Sequence, residues 1–95
     1  MYIDDFAWLP QVVEKLEQKH QVTCREVEGI FFNRPLVRFH EKGRTEGEHM
    51  YTALGQSDTG RYLVVFFIRK LDNRALIVSA RDMSEAERKR YGRER

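Results

Sequence analysis

Residues Gly60–Lys70, GRYLVVFFIRK, decide the fold. Between the two arginines both side-chain parities are apolar: Tyr62, Val64, Phe66 and Ile68 on one, Leu63, Val65 and Phe67 on the other. A strand with one wet face alternates apolar with polar residues, so this pattern predicts a central strand covered on both faces. Ser57-Asp58-Thr59-Gly60 before it and Leu71-Asp72-Asn73-Arg74 after it are turn signals. They allow the flanking apolar segments to pair with it as antiparallel neighbours. Gly60 suits the left-handed position of a tight hairpin, which would aim Arg61 at the end of the sheet.

Working outward, Leu36–His40 and Glu48–Leu54 read as strands on the N-terminal side, with a turn at Glu41-Lys42-Gly43-Arg44. On the C-terminal side Arg74–Arg81 reads as a strand. A strict period of two places Leu76, Val78 and Ala80 on one face and Ile77, Ser79 and Arg81 on the other. Ser84 and Glu87 then have capping-box spacing, predicting a final helix through about Arg93. Ala86 and Tyr91 are its expected apolar contacts, with Arg88, Lys89, Arg90, Arg93 and Arg95 outside.

Two helices precede the sheet. Pro10 fits a first helical position, and Leu9, Val12, Val13 and Leu16 give an apolar stripe on a helix running to about His20. Glu14, Lys15, Glu17 and Gln18 take its wet side. Thr23 and Glu26 form a capping box for the second helix, flanked by a Val22–Val27 hydrophobic staple. Val27, Ile30 and Phe31 continue its buried face until Pro35 ends it. Phe6 and Trp8 form a short edge strand or dock on the core. The expected class is α+β: two N-terminal helices, a mainly antiparallel four-stranded sheet with an optional N-terminal strand, and a C-terminal helix.

The chain has 95 residues, enough for one domain spanning 1–95, and is 41% hydrophobic and 34% charged. No stretch reaches the roughly 18 apolar residues of a membrane span, and no basic-then-apolar leader opens the sequence. Cys24 is the single cysteine, so an internal disulfide and a cysteine-rich zinc site are excluded. Together these features favour the cytoplasm. The formal charge of +2 is uneven: residues 1–35 hold four Lys/Arg against six Asp/Glu, and residues 36–95 hold thirteen against nine. A basic C-terminal part permits a nucleic-acid surface or an acidic partner.

Familiar chemical motifs are sparse. Gly43, Gly47, Gly55 and Gly60 lack phosphate-loop spacing, and His20, His40 and His49 are too scattered to suggest a metal. No cofactor is expected. Cys24 sits in a first helical turn, where the helix dipole could lower a thiol pKa, although a lone cysteine there is far more often an inert, partly buried residue. The group of interest is Lys19, His20, Arg61, Arg81 and Tyr91. Metal-independent RNA cleavage needs proton transfer at the 2′-hydroxyl and the 5′-oxygen, and donors opposing charge on the phosphoryl oxygens. Histidine supplies the first; arginine and lysine supply the second. Each residue also has a structural alternative. His20 can complement a helix C-terminus, Arg61 can be a solvated hairpin residue, Arg81 can pair with Asp82 or Glu87, and Tyr91 can anchor the last helix.

Taken together, the sequence resembles the BrnT toxin family, the ribonuclease half of a bacterial type II toxin–antitoxin pair. The resemblance spans nearly the whole chain. Its pieces are Phe6-Ala7-Trp8, Lys19-His20 with Val22, Glu26 before Ile30-Phe31, and Glu46-Gly47-Glu48 with Tyr51 and Gly55. They continue with Gly60-Arg61-Tyr62-Leu63-Val64, Ser79-Ala80-Arg81, and Glu87-Arg88 with Tyr91. The resemblance implies a RelE-like fold and metal-independent cleavage of RNA. It also implies a cognate ribbon-helix-helix antitoxin that carries the operator-DNA contact. Its site pattern falls on Lys19, His20, Arg61, Arg81 and Tyr91, with Glu48 and Glu87 as supporting acids.

Several positions depart from that pattern. Leu9, Val12 and Leu16 stand where the family usually has an acid, a lysine and an asparagine, Gln21 replaces a common glycine, and Met50 replaces an arginine. These departures motivate an alternative: a catalytically weakened antitoxin-binding or RNA-binding module that acts in operon regulation. Self-association into a homodimer through an exposed sheet edge is compatible with either reading.

Overall fold

The computed structural model describes residues 1–94; Arg95, expected on the outer face of the last helix, lies outside them. The elements are β1 (Asp5–Ala7), α1 (Pro10–Lys15) continuing as a π-helical turn (Leu16–His20), α2 (Cys24–Phe31), β2 (Leu36–Glu41), β3 (Met50–Gln56), β4 (Tyr62–Arg69), β5 (Arg74–Asp82) and α3 (Glu85–Glu94). The strands form one sheet in the order β1-β5-β4-β3-β2. The expected strand β4 is central, antiparallel to both β3 and β5. The short β1 is real and lies parallel to β5.

Its doubly apolar sequence buries β4 on two sides. On one face Leu63, Val65 and Phe67 join Val12, Leu16, Val27 and Ile30 from the helices and Val22 from the connection between them. Rings extend that layer, with Phe31 5.1 Å from Phe6 and 5.2 Å from Phe67. On the other face Val64 packs with Leu54, Met83 and Tyr91 beneath α3. Each such apolar side chain contributes about 1.5–3 kcal/mol by leaving water. Tyr91 therefore anchors α3 as a buried ring, whereas Ala86, the other expected contact, is exposed.

The strict alternation expected of β5 fails at Val78. Phe66 pairs with Ser79 but Phe67 pairs with Ile77, so Val78 is an extra residue opposite a continuous partner. A bulge reverses parity. Ala80 consequently falls in with Ala75 and Ile77 on the helical face, not with Leu76, while Arg81 points to the α3 face. Lys15 Nζ donates to the Val78 carbonyl at 3.3 Å.

Local signals place the helices. Pro10 occupies the first turn of α1, and Thr23 and Glu26 form the complete capping box of α2. α2 approaches β3 so closely that a Cβ on Gly55 would lie 2.9 Å from Ile30 Cβ. The loop 57–61 closes through Ser57 N to Arg61 O at 2.8 Å and Gly60 N to Ser57 O at 2.9 Å, with Gly60 at φ +92°. The expected tight turn after β2 is instead an eight-residue loop, 42–49.

Candidate functional site

Three of the five site candidates gather around Asp82, where β5 ends beside the start of β4. Arg61 belongs to the helical face. Its Nε donates to Asp82 Oδ1 at 2.7 Å and Nη2 to Asp82 Oδ2 at 3.2 Å. Nη1 donates to the Gln21 carbonyl at 2.6 Å and to Glu26 at 3.4 Å, and Nη2 to the His20 carbonyl at 2.8 Å. A guanidinium has five N–H donors, and here all five have acceptors. The hydrogen bond to Asp82 is the main reason that Arg61 is held still more firmly in its charged form, against the opposing effect of burial.

Arg61 thus ties the hairpin to the end of the first helix. That end is unusual. Val22 N reaches back to Leu16 O at 3.0 Å, and Gln21 turns left-handed at φ 51°, ψ 42°. Left-handed backbone is the conformation that glycine adopts most readily, which accounts for the glycine common at this place in the resembled pattern. The turn sets Lys19 on the exposed surface and His20 beside Asp82. Asp82 is held below the usual carboxylate range first by its hydrogen bond from Arg61, and the positive charge of His20 adds to the effect.

Arg81 lies on the other face of the sheet. Its Nη1 and Nη2 fork onto Glu87 at 2.7 and 2.9 Å, and Nη1 also donates to the Asp82 carbonyl at 3.2 Å. Its Nε–H and second Nη2–H have no hydrogen-bond partner among the described residues, and its side chain is 41% exposed. Glu87 is pulled down to about 2, chiefly by Arg81, with the amide of Ser84 helping. Arg61 and Arg81 therefore meet the same residue from opposite sides of the sheet and do not form one two-armed clamp.

The remaining candidates separate from this group. The ring of Tyr91 is 2% exposed, 6.1 Å from Tyr62 and edge-on to it, which leaves it no open face for a base. Glu48 stands at the opposite end of β4, where it accepts from Lys70 Nζ at 2.8 Å and Leu71 N at 3.1 Å. The hydrogen bond from Lys70 is the main cause of its lowered pKa. Glu48 thus fastens the far loop. Val12 and Leu16 are core residues, so only Leu9 of the three first-helix departures is exposed. Cys24 has its thiol pKa raised, first by burial and then by Glu28 and Glu17, opposite to the lowering that the helix dipole suggested.

Sequence reading passed over two residues of the α3 face. His40 lies with its ring centroid 5.5 Å from that of Phe66, and the Arg81 guanidinium carbon is 5.7 Å from the same ring. Their parity on β2 and β4 was readable, but the register that sets them side by side was not. No group of three or more His, Cys, Asp or Glu side chains converges on a metal-sized space among the described residues. No helix among them is long and apolar enough to cross a membrane.

No curated protein matches the chain. A family model described as the BrnT ribonuclease toxin of type II toxin–antitoxin systems matches residues 8–87. The match covers most of the chain's length, and the chain belongs to the BrnT family of ribonuclease toxins, which act with a cognate antitoxin.

Proposed function

We propose that this ribonuclease toxin cleaves RNA without a metal at the Asp82 end of the sheet, with distinct tasks for its two arginines. The observation that carries the division is donor occupancy: Arg61 has none to spare, and Arg81 retains two. RNA crosses the end of the sheet, where Asp82 joins the two faces, so that Arg81 reaches the non-bridging oxygens of the scissile phosphate from the α3 side, with Glu87 fixing its fork. His20 accepts the 2′-hydroxyl proton, O2′ attacks phosphorus, and the P–O5′ bond breaks as the departing oxygen takes a proton from water. Asp82 is the counter-charge beside the imidazole once it has gained its proton. Lys19 adds positive charge from the exposed turn. Arg61 is a positioning residue that holds the His20 and Gln21 carbonyls, and Tyr91 positions Glu87 indirectly by anchoring α3.

An acidic segment of a ribbon-helix-helix antitoxin would neutralise the toxin across the same cations, with operator DNA contacted through the antitoxin alone. The alternative, a weakened binding module, is favoured by the carboxylates that already face Arg61 and Arg81. Cleavage of mixed-sequence RNA in EDTA, with a parallel reaction on translating ribosomes, decides between them. The nuclease reading expects wild-type cleavage to fall at least a hundredfold in Arg81→Ala and in His20→Ala. Wild-type rates in both variants would overturn the roles given to Arg81 and His20, and no cleavage by the folded wild type in either assay would establish the binding module.

A further inference from the structure

The sheet face beneath α3 is covered only in part. α3 shields the region of Leu54, Val64 and Tyr62 through Tyr91, and the face then continues past it to Phe66. Register places Thr52 of β3 and Ser79 of β5 directly on either side of Phe66. Both are short hydroxyl side chains, so the half-buried Phe66 ring is not walled in by bulky neighbours on its own row. Basic side chains stand around it instead. The His40 ring meets Phe66 at an interplanar angle of 75°, and Arg81 lies over the ring. Arg38, which pairs with Thr52, follows in the same row on β2, where it is ion-paired with Glu94 of α3. His40, Arg38 and Arg81 have side chains 44%, 41% and 41% exposed.

A flat apolar ring beside an imidazole and a guanidinium that keeps donors unpaired among the described residues matches one ligand chemistry particularly well. Single-stranded RNA presents an unstacked base and a phosphate within one nucleotide, and proteins hold it by aromatic stacking combined with positive charge. An acidic peptide would satisfy the basic groups but gains nothing from a partly exposed ring between two hydroxyl side chains. We propose that Phe66, His40 and Arg81 form a nucleotide platform on which one base of single-stranded RNA stacks while the adjoining phosphate lies on Arg81. The proposal rests on the ribonuclease reading and adds a substrate subsite to it. The base adjacent to the cut would be read here by shape and stacking, so the preference would be broad rather than for one base.

The test uses a 2′-O-methyl oligoribonucleotide carrying 4-thiouridine, which lacks the attacking hydroxyl and so reports binding without cleavage. Wild-type protein should bind it, and light should crosslink it to peptides containing Phe66 or His40. Phe66→Leu, which keeps apolar volume but loses the ring, should weaken binding about tenfold or more, as should His40→Ala to a smaller degree. Phe66→Tyr, which restores a ring, should bind within a few-fold of wild type. Unchanged binding by Phe66→Leu, or crosslinks confined to α1 and α2, would overturn the platform. So would an absence of binding by wild type, whether or not it cuts RNA. His20→Ala separates the two ideas: lost cleavage with intact oligonucleotide binding supports both, and unchanged cleavage overturns the assigned chemistry while leaving the platform to its own result.

Discussion

Replacing Arg61 by alanine distinguishes a clamp from a phosphate ligand. The side chain is 25% exposed and bridges three segments: the end of the first helix, the start of α2 and the end of β5. Its bonds to the His20 and Gln21 carbonyls are charge-assisted and contribute about 1.5 kcal/mol each. The Asp82 partner is 64% exposed, so that pair adds no more than about 1 kcal/mol after solvent screening. The sum is roughly 3–4 kcal/mol, a large part of the stability of a small domain. With a urea slope near 1–1.5 kcal/mol/M, the unfolding midpoint of Arg61→Ala should fall by roughly 2–4 M. Arg61→Lys keeps the charge but not the fork, and should lose about half as much. The assay is urea unfolding followed by far-UV circular dichroism, paired with RNA cleavage well below each variant's midpoint. An Arg61→Ala protein with a wild-type midpoint and no cleavage would refute the clamp and return Arg61 to the phosphate.

Glu87 gives a pH signature. Its folded pKa of about 2 lies below its ordinary value, so its stabilisation is fully present above about pH 5 and is lost as pH falls towards 2. The full shift corresponds to about 3 kcal/mol, which screening at the exposed Arg81 reduces to about 1–2 kcal/mol. Wild type should approach Glu87→Gln in urea midpoint as pH is lowered from 6 to 2.5, and a constant gap would show that the pair is not coupled to folding. At Gly55 an added methyl meets Ile30 Cβ and the α2 backbone, so Gly55→Ala should cost about 1–3 kcal/mol by forcing α2 off the sheet. A thermal midpoint within a degree of wild type would mean that this contact is slack.

Much of the fold was legible because its signals are local. The doubly apolar run in β4, the capping boxes at Thr23 and Ser84, Pro10 at a helix start and Gly60 in its turn each follow from a few adjacent residues. The family was legible too, since its pattern is spread along the chain in order. Three things were not. The bulge at Val78 depends on how β5 registers against β4, and one extra residue there sends Ala80 and Arg81 to opposite faces from those that simple alternation assigns. The five-fold engagement of Arg61 depends on carbonyls that only the left-handed turn at Gln21 presents. The juxtaposition of His40, Phe66 and Arg81 needs β2, β4 and β5 to hold one register across the sheet, which no periodicity reports. Sequence alone determined which residue types were available for phosphate and proton chemistry and which segments become helix or strand, because backbone preference and side-chain periodicity act over a few residues. Tertiary structure alone decided which cations keep free donors and which are spent on the fold, because that depends on acceptors brought from distant parts of the chain.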